Sequence, residues 1–194
     1  RGLALSVKHP VREFYVGRTE AASLSMGKVD AESGKLLKTS DRRSFGQCNM
    51  LDARSERLRH MVYCAASNTL ILSYSNRLNG TEGRTPVHKL LMLDGTTLKL
   101  LGEVKNAYTG TAYGLTLDEK TQKIYVGGKD YVNEIDAASK TVLRTIPLQN
   151  VTPQITSVQN LIVDPASNRI FAVVFDHDDR SGTHDGLYVF DLHD

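Results

Sequence analysis

The chain has no tryptophan, two cysteines and five prolines among its 194 residues. Two cysteines are too few for a disulfide framework or a four-cysteine zinc site. A bridge between Cys48 and Cys64 would contribute about 3 kcal/mol in an oxidising compartment. The alternative is two thiols, with Cys64 packed in the strand HMVYCA as a small hydrophobe. Long apolar runs are missing too: the longest are fragments such as LILSY and KLLML, far short of the roughly 18–20 residues that cross a bilayer as a helix. Neither sign of charge is in excess, because 24 Lys and Arg against 22 Asp and Glu leave a formal +2. Bulk charge therefore implies no polyanion partner, and any basic patch must be local. The chain starts at Arg1 without a charged-then-apolar leader, so the expectation is a targeting peptide absent or already removed. What remains is 40% hydrophobic and 24% charged, the composition of a globular body that buries about 70% of its unfolded surface.

A repeat is present. The segments VREFYVG, SNTLILS, TQKIYVG and SNRIFAV each set a polar turn before a short β-branched or aromatic run, with Phe14, Leu70, Ile124 and Ile170 equivalent. A second echo follows in phase, in which an apolar residue precedes Asp30, Asp94, Asp136 and Asp191. With an apolar run upstream of each turn, one unit reads as four short strands. In the clearest unit these cover 113–117, 124–128, 132–136 and 141–148, and nothing there asks for a helix. Asp136 reads as a turn former, because Asp bonds its own backbone two residues on. Four-stranded units about 50 residues apart are the pattern of a β-propeller. The expected fold is all-β: a single partial propeller domain of antiparallel blades over 1–41, 58–106, 111–149 and 157–194. The last unit stops after its third strand and has no donor for the fourth. Such an edge is an aggregation hazard, so the 194 residues are expected to belong to a longer chain or to pair with another copy or fragment.

The stretch KIYVGGKDYVNEIDAASKTVLRTIPL resembles the YVTN-repeat β-propellers, with Ile124-Tyr125-Val126-Gly127-Gly128 matching that family's strand signature. The likeness spans nearly all of the chain and is loosest before Ser40. It implies a seven-bladed ring in the complete protein, a periplasmic or secreted address and no established enzymatic chemistry. Lactonase-type propellers and single-stranded DNA binding stand as alternatives within the same likeness. The two cysteines and the longer loops depart from the pattern.

Loops on a rigid scaffold carry most binding residues. In a four-stranded blade the second-to-third loop and the exit to the next blade open on one face, which here gives Arg18–Ser23, Asn76–His88 and Asp176–Gly186. The last, DHDDRSGTHDG, supplies the densest set of metal-ligating side chains, among them His177, Asp179, His184 and Asp185. Oxygen and imidazole donors this close suit zinc, manganese or calcium, but the spacing matches neither an EF-hand nor HExxH. A solvated acidic turn is the plainer reading, so no cofactor is expected and a divalent metal is the alternative.

The second cluster is basic: Arg42, Arg43, Arg54, Arg57 and Arg59, then Asn76, Arg77, Arg84, His88 and Lys89 around the second loop. Arginine forks suit phosphate and carboxylate, and Tyr74 or Tyr108 nearby would stack bases of a single strand. A ligand set of Arg42, Arg43, Arg59, Asn76 and Arg77 follows. No GxSxG elbow or positioned triad exists, and Gly127 and Gly128 precede no helix, so they serve close packing or a bulge rather than a phosphate cradle. The expected function is a noncatalytic scaffold that offers its loop-rich face to a protein partner or a small anionic ligand. The alternatives are a metal-assisted hydrolase or lactonase-type enzyme and a single-stranded DNA binder.

Overall fold

In the computed structural model, residues 2–5, 13–20, 23–40, 56–76, 87–109, 114–129, 131–148, 157–175 and 186–192 are described. Every regular element among them is a β-strand, and no helix is long and apolar enough to cross a membrane. Contacts divide the chain into two units, Arg1–Lys105 and Asn106–Asp194.

The N-terminal unit holds two sheets. The first is β1 (Gly2–Leu5), β2 (Glu13–Glu20), β3 (Ser23–Asp30) and β4 (Leu36–Thr39); the second is β5 (Glu56–Cys64), β6 (Thr69–Asn76), β7 (Val87–Asp94) and β8 (Leu100–Lys105). All pairs are antiparallel and neighbours in sequence. β5 lies against β1, β2 and β3, and between the sheets Tyr15, Met26, Met61, Tyr63, Leu70 and Leu72 form the core. The Tyr15 hydroxyl donates to the Gly95 carbonyl at 2.9 Å, and its ring meets that of Tyr63 at 5.3 Å. Leu70 to Tyr74 are all buried. That is why LILSY reads as a continuous apolar run: a strand covered on both faces has no polar side to alternate with.

The C-terminal unit repeats the plan. Its first sheet is β9 (Leu115–Asp118), β10 (Lys123–Gly127), β11 (Tyr131–Asp136) and β12 (Thr141–Pro147); its second is β13 (Ser157–Asp164), β14 (Arg169–Phe175) and β15 (Gly186–Asp191). β13 packs across β9 and β10, burying Tyr125, Val132, Val158, Leu161, Ile170 and Val174. Each such side chain removed from water is worth about 1.5–3 kcal/mol. Leu36, Leu101 and Leu143 on the fourth strands are about half accessible, and Ile162 on β13 and Leu187 and Val189 on β15 are exposed as well. In all three four-stranded sheets the pairing of the third strand with the fourth slips once, at Lys28/Val29, Met92/Leu93 and Glu134/Ile135.

Within each sheet, described turns at one end repeat one plan. Asp30, Asp94 and Asp136 open the turns between third and fourth strands; Asp118 and Asp164 open those between first and second. Each carboxylate accepts backbone N–H groups of its own turn, from Ser33 at 2.7 Å, Thr97 at 2.6 Å, Lys120 at 2.9 Å, Ser139 at 2.5 Å and Ala166 at 3.0 Å. A Ser or Thr stands three residues after every one of these aspartates, and the fifth residue is left-handed: Gly34, Leu98, Gln122, Lys140 and Asn168, with φ between 57° and 67°. Asp136 is therefore a turn former, as its neighbours imply. A side chain at φ near +60° is strained where glycine is not. We expect Lys140→Gly to raise stability by about 0.5–1 kcal/mol in urea unfolding, and a loss would refute the strain argument.

The same hydrogen bonds set an acid limit. Those from Ser33, Thr97, Ser139 and Ser167 hold the carboxyls of Asp30, Asp94, Asp136 and Asp164 below the ordinary range. A carboxyl depressed by folding stabilises fully above its unfolded pKa of about 4 and loses that contribution as pH falls through the folded value. The urea midpoint should fall on acidification from about pH 5 to pH 3. The paired substitution Asp94→Asn and Asp136→Asn should flatten that slope, and an unchanged slope would assign acid sensitivity elsewhere.

Candidate functional site

The opposite end of the sheets carries the long connections. In the N-terminal unit, the segments 41–55 and 77–86 both join the second sheet at the Glu56–Asn76 pair, where β5 begins and β6 ends. Arg42, Arg43 and Arg77 lie in those segments, outside the described residues. Arg59 falls within the register shift of β5 between Leu58 and Met61, and Asn76 closes β6; their side chains also lie outside the described residues. His177, Asp179, His184 and Asp185 belong to the 176–185 connection, likewise outside, as is Cys48, so the bridge from the buried Cys64 is not described. Among the described residues no three His, Cys, Asp or Glu side chains converge as metal ligands.

Three expectations change. Arg18–Ser23 is not a long loop: Arg18, Thr19 and Glu20 pair with Ser25, Leu24 and Ser23, leaving a two-residue connection. Tyr74 and Tyr108 are 4% and 1% exposed, so neither ring offers a face for a base. Lys89 is committed internally, with Nζ 2.6 Å from Glu103 Oε2 and 5.7 Å from the centre of the Tyr74 ring.

A polar cluster that the sequence did not single out lies in the C-terminal unit. Glu134, 2% exposed in the middle of β11, receives Lys123 Nζ at 2.6 Å from β10 and Arg144 Nε at 2.7 Å from β12. Arg144 also donates through Nη2 to the Leu192 carbonyl. Burial pushes the Glu134 carboxyl up, but the hydrogen bonds from Lys123 and Arg144 outweigh it and hold the group below the ordinary range. Beside it, Asn133 donates to the Ala107 carbonyl at 2.8 Å and accepts from Thr145 Oγ1 at 2.7 Å. These side chains border a cleft of about 380 Å³ reaching from the turn after Asp118 to Pro165, Asn168 and Leu192. Tyr125 stands at its wall with its pKa pushed up to about 12 by burial, then by Glu134 and Asp118. The one sequence signal for this cluster was Glu134 itself, an ionised residue within the apolar pattern of VNEID.

Solved structures match the chain over almost its whole length. The Neurospora crassa Pan2 WD40 domain is 12% identical with a TM-score of 0.59, covering 98% of this chain and 53% of that one. The fold is a β-propeller. A protein of unknown function from Bacteroides caccae gives 14% identity and a TM-score of 0.60, covering 97% of this chain and 62% of that one. A chain of a nidogen/laminin complex gives 14% and 0.57, covering 89% and 56%. The chain thus spans about half the length of the first propellers it matches. No protein-family model and no curated protein matches it.

Proposed function

We propose that this chain is part of a noncatalytic binding propeller that offers the loop-bearing end of its blades to a protein partner or a small anionic ligand. The observation that carries this reading is the convergence of the two arginine-bearing connections on the single Glu56–Asn76 pair, while five tight aspartate turns lie at the other ends of their sheets. The carboxylates of Asp30, Asp94, Asp118, Asp136 and Asp164 are used by turns, and those of Glu103, Glu134 and Asp191 by ion pairs, which suits a scaffold. The likeness to a chain of a nidogen/laminin complex supports a protein as the partner. The Ile124 to Gly128 signature supports a YVTN-repeat, YncE-like propeller with a periplasmic or secreted address.

The test is binding of a poly-glutamate peptide, followed by fluorescence anisotropy over a salt series. Affinity should fall as salt screens the contact, and replacing Arg42, Arg43 and Arg77 with alanine should weaken binding about tenfold or more, since charge-assisted bonds contribute about 1.5–3 kcal/mol each. Equal binding by the variant would end the reading.

A further inference from the structure

We infer that the cleft bordered by Lys120, Lys123, Tyr125 and Arg144 in the C-terminal unit is a binding site for a small oxyanion, a phosphate or carboxylate group. It is separate from the loop-bearing end and does not depend on the reading given for that end. The first ground is the balance of charge and hydrogen-bonding capacity. Three cations line the cleft against two carboxylates, Asp118 and Glu134, and both carboxylates are already engaged. Glu134 Oε1 and Oε2 take Lys123 and Arg144, and Asp118 Oδ1 and Oδ2 take its own turn, the latter through Thr121 Oγ1 at 2.5 Å. Guanidinium and ammonium groups carry more N–H donors than these bonds consume, so the surplus in the cleft is of donors and positive charge.

The second ground is Tyr125. It is 2% exposed, its hydroxyl has no hydrogen-bond partner among the described residues, and it borders the cleft. The ring is buried but the hydroxyl is not sealed from solvent, so an oxyanion in the cleft can accept from it. Lys120, exposed at the rim, adds a cation with no carboxylate partner among the described residues. Such a donor set, with no residue positioned as a nucleophile, binds rather than transforms its ligand.

The experiment is an amide-detected NMR titration of the full chain with inorganic phosphate and, in a second arm, with acetate, both against sodium chloride at matched ionic strength. Shifts should cluster at Thr121, Lys123 and Tyr125, with dissociation constants in roughly the millimolar range. Tyr125→Phe, which removes one oxygen and no existing bond, should keep the thermal midpoint and weaken binding about fivefold; Lys120→Gln should weaken it as well. A response to either anion supports the site and names its chemistry. Amides that stay still in the folded protein in both arms overturn it, as does equal affinity in both variants.

Discussion

Gly127→Ala should destabilise the C-terminal unit by about 3 kcal/mol, near the upper end for overpacking a core. A Cβ at this position would lie 2.5 Å from Cβ and 2.7 Å from Cγ1 of Val158, which is fully buried in β13. Neither side can yield easily. Gly127 is held at the end of β10, its N–H donating to the Gly114 carbonyl at 2.9 Å, and Val158 is the second residue of the strand that covers β9 and β10. The cost is steric and does not come from backbone conformation, which separates this glycine from Gly34, where φ is +67° and nothing lies within 4 Å. Urea unfolding of a double-mutant cycle with Val158→Gly is the check. In that background the alanine should cost less than about 1 kcal/mol, because the opposing Cβ is gone. Equal costs in both backgrounds would mean that the packing of β10 on β13 is not what excludes a side chain.

The second large effect is expected at Glu134. Replacing Lys123 and Arg144 together with methionine should cost about 3–5 kcal/mol at neutral pH, since it leaves a buried carboxylate with no compensating charge. Either replacement alone should cost less, because both cations are 37% exposed and water screens them. The pH profile carries the diagnostic sign. In the native protein Glu134 is depressed, so its contribution is present above the unfolded value of about 4 and fades as pH falls. In the double variant only burial acts on it, its folded pKa rises above the unfolded one, and the destabilisation shrinks as pH falls toward protonation. A double variant whose deficit is constant from pH 7 to pH 4 would show that lost packing, not an orphaned charge, is responsible.

The turns were open to inspection in the amino-acid order because their physics is local. An aspartate reaches the amides two and three residues on without help from the rest of the chain, so Asp136 declares its role within Asp136-Ala-Ala-Ser139. The Lys123–Glu134–Arg144 group was not, because its members sit on three strands and meet only through the pairing of Glu134 with Tyr125 on one side and Arg144 on the other. Tyr74 and Tyr108 show the same limit in reverse. Aromatic rings beside arginines look like stacking platforms in one dimension, but a ring's accessibility depends on which sheet lies over it. Arg18–Ser23 looked like a loop because of its polarity, yet a strand near a sheet's end carries polar residues as readily as a turn does.

Sequence alone determined the repeat, the strands, the all-β propeller class and the aspartate turns, since period-two patterning and four-residue turn chemistry are short-range properties. Tertiary structure decided which faces are covered, why Gly127 admits no side chain, and how one buried carboxylate gathers two cations beside Tyr125. Those outcomes depend on register between strands and on the stacking of one sheet upon the next. Both are set by contacts between residues distant in the chain, which no local pattern encodes.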